Sequence, residues 1–313
     1  LIHPVQIIGW FIDKLKRSMQ HKIYGCSYEE VKEKGIERNA RAEKTAGFFL
    51  MLFIVAGTFA VIYGILYVAW VIHPVLHFCL ETFFIYQILA TKSLKKESMK
   101  VYKKLKEGDL IGARKEVSYL VGRDTENLDE SEVAKADVET IAENTADGVI
   151  APMLFIAIGG APLGFAYKAV NTLDSMVAYK NEELINIGFF SAKMDDVCNF
   201  IPARFAAVML MIASLVLRFD FKGAVKIFKR DRFAHLSPNS AQTEAVAAGA
   251  LQIQLGGTHN YFGKAVVKPT IGDDIRPVEY EDIKRTNQLL YVSAVLSMAV
   301  CCLITFLIYV QLF

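Results

Sequence analysis

The sequence predicts an all-α, polytopic integral membrane protein with four or five membrane segments, one of them re-entrant or broken, and helical loops outside the bilayer. Three observations carry this. Of the 313 residues 53% are hydrophobic and mean hydropathy is +0.31, yet 22% are charged, so apolar and polar stretches must be segregated. Several stretches free of Asp, Glu, Lys and Arg reach the roughly 20 residues that a helix needs to cross a bilayer. No strand-period alternation persists anywhere along the chain.

Taken in order, Thr45–Leu80 is uncharged and long enough for one span and a second apolar piece, with a break and helix start at His73-Pro74. Gly148–Tyr167 has the length of one span but is interrupted by Pro152, Gly159-Gly160, Pro162 and Gly164. Phe205–Leu217 is shorter and becomes span-like only if Phe200–Ala203 joins it across Arg204. Thr286–Phe313 is uncharged throughout. The polar segments between read as helices. Asp109 caps one whose apolar residues Leu110, Ala113, Val117 and Leu120 recur at helical spacing until Gly122. Asp129 with Glu132 three residues on is a capping-box pattern, and the helix behind it buries Ala134, Val138, Ile141 and Ala142. The whole of 1–313 reads as a single membrane-embedded domain with helical cytoplasmic insertions at 92–147 and 219–285.

Lys and Arg set the orientation. Groups at Lys32–Lys44, Lys92–Lys104 and Lys222–Arg232 are expected on the cytoplasmic side, which makes Thr45–Ala90 a membrane hairpin. A net charge of +2 excludes a nucleic-acid binder that depends on a strong positive field. Five cysteines, odd in number and without C-x-x-C, argue against a disulfide framework or zinc knuckle. The P-loop motif is missing, and Gly159-Gly160-Ala-Pro-Leu-Gly164 follows no strand and so is not a dinucleotide fingerprint. The chain begins at Leu1, which predicts processing or trimming upstream; no secretory leader is visible.

The residues with chemical potential cluster beside the apolar runs. Glu139, Glu143 and Asp147 stand at i, i+4 and i+8, on one face if the helix persists, with Asn144 between them. Asn171 and Asp174 repeat the theme at i, i+3, followed by Lys180. Asp195, Asp196 and Asn199 form a third group, with Arg204 one turn beyond. An ionised side chain at the bilayer centre costs about 2.5–3.5 kcal/mol or more, so acids at the mouth of apolar segments suggest a site and a cation to neutralise them. Hard oxygen donors suit Mg²⁺; the bland alternative is helix caps and solvated faces.

Ser237-Pro238-Asn239-Ser240 with Glu244 reads as a helix start, with Asn239 or Ser240 as N-cap and phosphate binding at its free N–H groups as the functional alternative. Gly256-Gly257 would end that helix and permit close backbone approach to a ligand. Arg123-Asp124 after Gly122 is either an ion pair in a turn or an anion site. His73, His77 and Glu81 have metal-ligand spacing, although His73-Pro74 reads more simply as a helix start.

These pieces, from His3-Pro4-Val5 to Leu255-Gly-Gly257, come in an order that resembles the CbiB/CobD family of cobalamin biosynthesis, the adenosylcobinamide-phosphate synthases. The matching segments are Val121–Thr125 with Leu128-Asp129, Glu139 with Ala142–Gly148 and Ala151-Pro152, Ala169–Met176, Tyr179–Asn181, Ser191–Asp196 with Asn199, Pro202–Arg204, and Ser237–Asn239 with Glu244. Two departures stand out: family members usually carry an apolar segment before the His-Pro-Val, and often a Gly where this chain has Ala241.

The resemblance implies a membrane amide ligase that uses ATP and Mg²⁺ to join the carboxyl of an adenosylated corrinoid, adenosylcobyric acid, to aminopropanol or its O-phosphate. It implies Glu143, Asp147, Asp174 and Asp195 as Mg²⁺ ligands, and Arg123 with Asp124, Lys180 and Arg204 as holders of nucleotide or amino-alcohol phosphate. Ser237, Asn239, Asn199, Glu244, Gly256 and Gly257 would complete the binding surface. Asn144 and Asn171 would orient the corrinoid amides or the amine, and Asp196 would accept the amine's proton. The partners expected are these small molecules and the lipid bilayer, without nucleic acid; an oligomer is compatible with the sequence. ATP is cytoplasmic, so the protein is expected in the cell membrane with its site on that side, and Gly148–Tyr167 is expected to be re-entrant or broken at Gly159–Pro162. Two rival classes are a membrane sensor of the AmpE-like type and a corrinoid or small-solute transporter; no inverted repeat is apparent.

Overall fold

A computed structural model describes residues 4–179, 181–261 and 263–312. The order is α1 (Pro4–Tyr24), α2 (Tyr28–Glu33), α3 (Ala40–Ile72), α4 (Pro74–Ile88), α5 (Thr91–Lys106), α6 (Leu110–Ser118), α7 (Glu130–Asn144), a π-helical turn (Thr145–Ile150), α8 (Ala151–Val177), α9 (Phe189–Cys198), α10 (Phe200–Val216), α11 (Phe221–Asp231), α12 (Ser240–Leu251), strands β1 (Leu255–Tyr261) and β2 (Lys264–Ile271), and α13 (Glu281–Leu312). Among the described residues four helices are long and apolar enough to cross a bilayer, or up to five if the broken pair α9 and α10 counts as one span. Only 28% of the apolar window of α3 is buried inside the protein, and Phe53, Val61, Tyr67, Trp70 and Ile72 stand exposed along it. An apolar surface that long requires lipid rather than water around it. The protein is therefore an all-α, multi-pass membrane protein.

The local signals act as read. Asp109 accepts from the Gly112 N–H at 2.8 Å and starts α6, which stops at Ser118, before Gly122. Asp129 accepts from the Glu132 N–H at 2.8 Å while Glu132 accepts from the Asp129 N–H at 2.9 Å, the reciprocal capping box that starts α7. Ala134, Val138, Ile141 and Ala142 are buried on that helix. Pro74 opens α4, where its missing N–H costs nothing.

Packing divides the chain into two compact units. The first comprises 1–88 and 155–198, with a core that includes Ile12, Leu50, Ile88, Phe165, Leu173 and Ile187. Within it α8 is broken where Gly159 (φ −141°, ψ 26°) and Gly160 (φ 62°, ψ −163°) leave helical geometry. Glu81 of α4 accepts the Ala161 N–H at 3.2 Å and so satisfies a donor that the break frees. His77 lies 3.1 Å from the other Glu81 oxygen and turns Nδ1 to the Leu66 carbonyl, 3.0 Å away, while His73 Nδ1 accepts from the Val75 N–H. The three are thus helix-end and helix-break fittings, and among the described residues no group of three His, Cys, Asp or Glu is arranged to hold a metal.

The second unit comprises 89–154 and 199–313, built on Val101, Val133, Ile141, Leu210, Val246, Ile253 and Leu289. Two local readings are corrected here. The expectation of no persistent strand misses an antiparallel hairpin, β1 against β2, with a register shift between Gly256 and Thr258. Gly256 and Gly257 do not end α12: that helix ends at Leu251, with Gln252 in the left-handed region (φ 58°, ψ 41°), and both glycines lie in β1.

Candidate functional site

The second unit holds a buried charged cluster where α7, α12 and the β1–β2 hairpin meet. On α7, Lys135, Glu139 and Glu143 recur every fourth residue and so share a face. The α-helix stops at Asn144, whose side-chain amide donates to the Thr140 carbonyl at 2.9 Å. Thr145–Ile150 then forms a π-helical turn. Its wider i→i+5 bonding rotates the half-buried Asp147 out of the register that a continued α-helix would give, a correction to the expected single face.

Arg123 comes from the loop before α7 and is almost wholly buried, its side chain only 5% exposed. Its Nη2 donates to Glu139 Oε2 at 2.7 Å, and Nη1 lies 2.8 Å from the His259 ring on β1. Glu139 Oε1 accepts the Gly256 N–H at 2.7 Å, so one carboxylate ties the loop and the hairpin to α7. Gly256 has φ +72°, and a Cβ there would meet the Pro269 carbonyl oxygen at 2.3 Å, so only glycine fits this crossing. The neighbouring Asp124 grips the hairpin tip: its N–H donates to the Asn260 carbonyl and its carboxylate accepts from the Gly263 N–H, both at 2.8 Å.

The first turn of α12 faces Glu143, and the Ser240 hydroxyl donates to Glu143 Oε1 at 2.8 Å. The free N–H groups and dipole of that turn favour a carboxylate there. Ser240 thus bonds outward to Glu143, and Asn239, the N-cap, makes no side-chain capping bond. Asn239 instead accepts from Arg204 Nη1 at 3.2 Å, while the Arg204 guanidinium stacks on Phe200, 3.6 Å from the ring centroid. The Ser237 hydroxyl accepts the Asn239 N–H at 3.2 Å. One turn after Ser240, Glu244 is buried, 6% exposed.

Burial shapes the protonation states here. Glu244 is pushed well above the usual carboxylate range by burial, and Glu143 and Glu139 push the same way. His259 is lowered to about 4 by burial and by the Arg123 guanidinium, so it stays neutral and accepts from Arg123. Burial also lowers His235, against the pull of Glu143. His235 Nδ1 accepts the Ser237 N–H at 3.0 Å, which puts the ring hydrogen on Nε2.

Of the residues singled out by sequence, Arg123, Asp124, Glu143, Asn144, Asp147, Asn199, Arg204, Ser237, Asn239, Glu244, Gly256 and Gly257 belong to this second unit. Asn171 and Asp174 lie half-buried on α8 and Asp195 and Asp196 on α9, all in the first unit; Lys193 stands 3.7 Å from Asp196. Asn199 is buried, its carbonyl accepting the Ala203 N–H at the start of α10. Lys180 lies outside the described residues. Sequence reading did not select His235, His259 or Lys268, and it left Glu139 without a role. A lone His in a loop or on a short hairpin has no periodic partner to mark it.

The family model described as CobD/Cbib protein matches residues 1–290. The chain is 50% identical to "Cobalamin biosynthesis protein CobD" of Clostridium perfringens over 302 residues, 96% of this chain and 91% of that protein. It is 48% identical to the protein of the same name from Listeria monocytogenes over 295 residues (94% and 89%). It is 43% identical to "Cobalamin biosynthesis protein CbiB" of Salmonella choleraesuis over 297 residues (95% and 89%). No solved structure matches.

Proposed function

This chain belongs to the CobD/CbiB family, and on that premise we propose that it serves cobalamin biosynthesis as an ATP-dependent amide ligase. It would join the propionate carboxyl of adenosylcobyric acid to an amino alcohol or its O-phosphate. The observation that carries the reading is the convergence of four separate sequence segments, Val121–Thr125, Glu139–Gly148, Ser237–Glu244 and Leu255–Gly257, on one buried charged cluster. A fold without chemistry to perform gains little from such a cluster, because burying ions costs several kcal/mol apiece before they pair.

The chemistry sets demands that these residues meet. A carboxylate is a poor acyl donor, so ATP phosphorylates it and the amine then displaces phosphate from the acyl phosphate. Glu143, beside the first turn of α12, and Asp147, on the π-helical turn that follows α7, are hard oxygen donors of the kind Mg²⁺ takes, and would hold the ion if it binds here. Bound Mg²⁺ neutralises charge on the transferring phosphoryl group. The N–H groups at the start of α12, with Ser237 and Asn239, suit phosphate oxygens. His235, carrying its hydrogen on Nε2, suits a developing oxyanion. Arg123 would share any phosphate with Glu139. Because ATP is cytoplasmic, the cluster would face the cytoplasm from the cell membrane.

Purified protein in detergent, given adenosylcobyric acid, amino-alcohol phosphate and Mg-ATP, is expected to yield the amide together with ADP, identified by mass. No amide with either the free or the phosphorylated amino alcohol refutes the ligase, and uptake of corrinoid by proteoliposomes without amide formation replaces it with a transporter.

A further inference from the structure

Helix α5 carries seven lysines against one acid in sixteen residues, and the two ends of the helix treat that charge differently. Toward its C-terminus the lysines have partners: Lys100 pairs with Glu97, Lys103 with Glu107 and Lys104 with Asp109. Lys92, Lys95 and Lys96 near its start are exposed and, among the described residues, form no ion pair. Their spacing of i, i+3 and i+4 puts them on one face.

Three contacts fix where that end of α5 lies along α13, a membrane-spanning helix of the same unit. Tyr102 donates to Glu281 Oε1 at 2.8 Å, Asn287 Nδ2 donates to the Ser98 hydroxyl at 2.9 Å, and Lys95 Nζ stands 4.6 Å from the centre of the Tyr291 ring. The two helices are therefore antiparallel, and the start of α5 lies beside the part of α13 that enters the bilayer. The last charge on α13 is Arg285, which pairs with Glu279 and Asp282. Tyr291 comes six residues later, about 9 Å further at 1.5 Å per residue. The headgroup layer is about 5–8 Å thick on each side of the hydrocarbon, so Lys95 and Tyr291 stand at its depth. Beyond Tyr291, Val295 and Met298 follow at i+4 and i+7 on the same face, 59% and 53% exposed.

We propose that Lys92, Lys95 and Lys96, with Tyr291, bind an anionic phospholipid whose headgroup phosphate meets the lysines and whose acyl chain lies along Val295 and Met298. Ammonium groups are donors without acceptors, the complement of a phosphodiester. Free phosphate would satisfy the lysines and leave the apolar stripe bare, which favours the lipid as occupant. Orientation of the chain needs positive charge on this side of the bilayer but no particular place for it, whereas a headgroup site needs these three side chains. None of these residues belongs to the charged cluster, so this site stands or falls apart from the ligase reading.

The test titrates the full chain, in neutral detergent, with phosphatidylglycerol and counts bound lipid by native mass spectrometry. Phosphatidylcholine and inorganic phosphate are the comparison probes. Each lysine beside an anionic headgroup strengthens binding about fivefold. The triple variant Lys92→Gln/Lys95→Gln/Lys96→Gln should therefore lose about a hundredfold in affinity, and each single variant about fivefold. The matching triple substitution to Arg keeps the charge and should stay within about threefold of wild type. Lys222→Gln/Lys226→Gln/Lys229→Gln removes the same charge from α11 and should also stay within about threefold. Phosphatidylcholine should bind more weakly than phosphatidylglycerol, and inorganic phosphate should not displace the lipid. Phosphatidylcholine binding as tightly, equal losses from the α5 and α11 triple variants, or single α5 variants without loss overturn the site. Displacement by inorganic phosphate at equal concentration overturns the lipid as its occupant.

Discussion

Removing Arg123 should cost this protein more than removing any surface ion pair, and the size of the loss follows from the geometry. Arg123 and Glu139 pair at 2.7 Å with side chains only 5% and 15% exposed, and the same guanidinium serves His259. Arg123→Met keeps the length of the side chain but deletes a charge-assisted hydrogen bond worth about 1.5–3 kcal/mol. It also leaves Glu139 ionised in a buried place with only the Gly256 N–H, and His259 without its donor. The expected total is about 3–5 kcal/mol, the range for a buried pair that loses one partner. Glu139→Gln in the same chain removes the stranded charge, so the double variant should recover a large part of the loss, with a coupling of roughly 1–3 kcal/mol. The assay is the unfolding midpoint in a fixed detergent for wild type, both single variants and the double variant, completing a cycle. A cost below about 1 kcal/mol for Arg123→Met, or a double variant as unstable as the sum of the singles, would refute the account of Glu139 as the tie between loop, helix and hairpin.

Three further outcomes follow from particular contacts. Asp147→Asn should abolish ATP-dependent product formation while leaving the far-ultraviolet circular dichroism unchanged in detergent; normal turnover would remove Asp147 from the metal-binding role. His259 is held at about 4 against an ordinary 6.5, so between those values the unfolded chain binds a proton that the folded protein refuses. Its contribution to stability therefore rises with pH across that window, and His259→Gln, which keeps an acceptor for Arg123, should flatten the difference in unfolding midpoint between about pH 4.5 and about pH 7. Glu81→Ala strands the Ala161 N–H at the break in α8 and should cost about 1–3 kcal/mol, whereas Glu81→Gln keeps an acceptor and should cost much less; equal thermal shifts in detergent for both variants would exclude that role.

How far each feature was legible depends on how many residues repeat its signal. The membrane helices announce themselves because a bilayer demands tens of consecutive apolar residues, as in Thr45–Leu80 and Thr286–Phe313. The break in α8 was equally plain, because Gly159-Gly160 before Pro162 leaves a helix few ways to continue. The Asp109 cap and the Asp129–Glu132 capping box were readable because the donor and acceptor sit three residues apart in sequence. The hairpin gave no such signal. Along β2 only Ile271 is buried, and β1 carries two glycines and a register shift, so no alternation of apolar and polar residues can develop.

That blindness to the hairpin is the reason the candidate site was only half seen. Glu139 was visible as one acid in a helical series, but its meaning depends on Gly256 and on the His259 that Arg123 reaches, both on β1. Glu244 was visible as an acid after a helix start, yet nothing in its neighbours along the chain says that it would be buried. Burial of an ionisable group is a property of what packs against it, and here α7 and the hairpin come from segments more than 90 residues apart in the chain, as the Ser240–Glu143 contact does at 97. Acid spacing on a single helix can therefore nominate a site. What such a site can hold waits on which partners the acids find, and in this cluster Glu139 is taken by Arg123 and the Gly256 N–H while Glu143 accepts from Ser240.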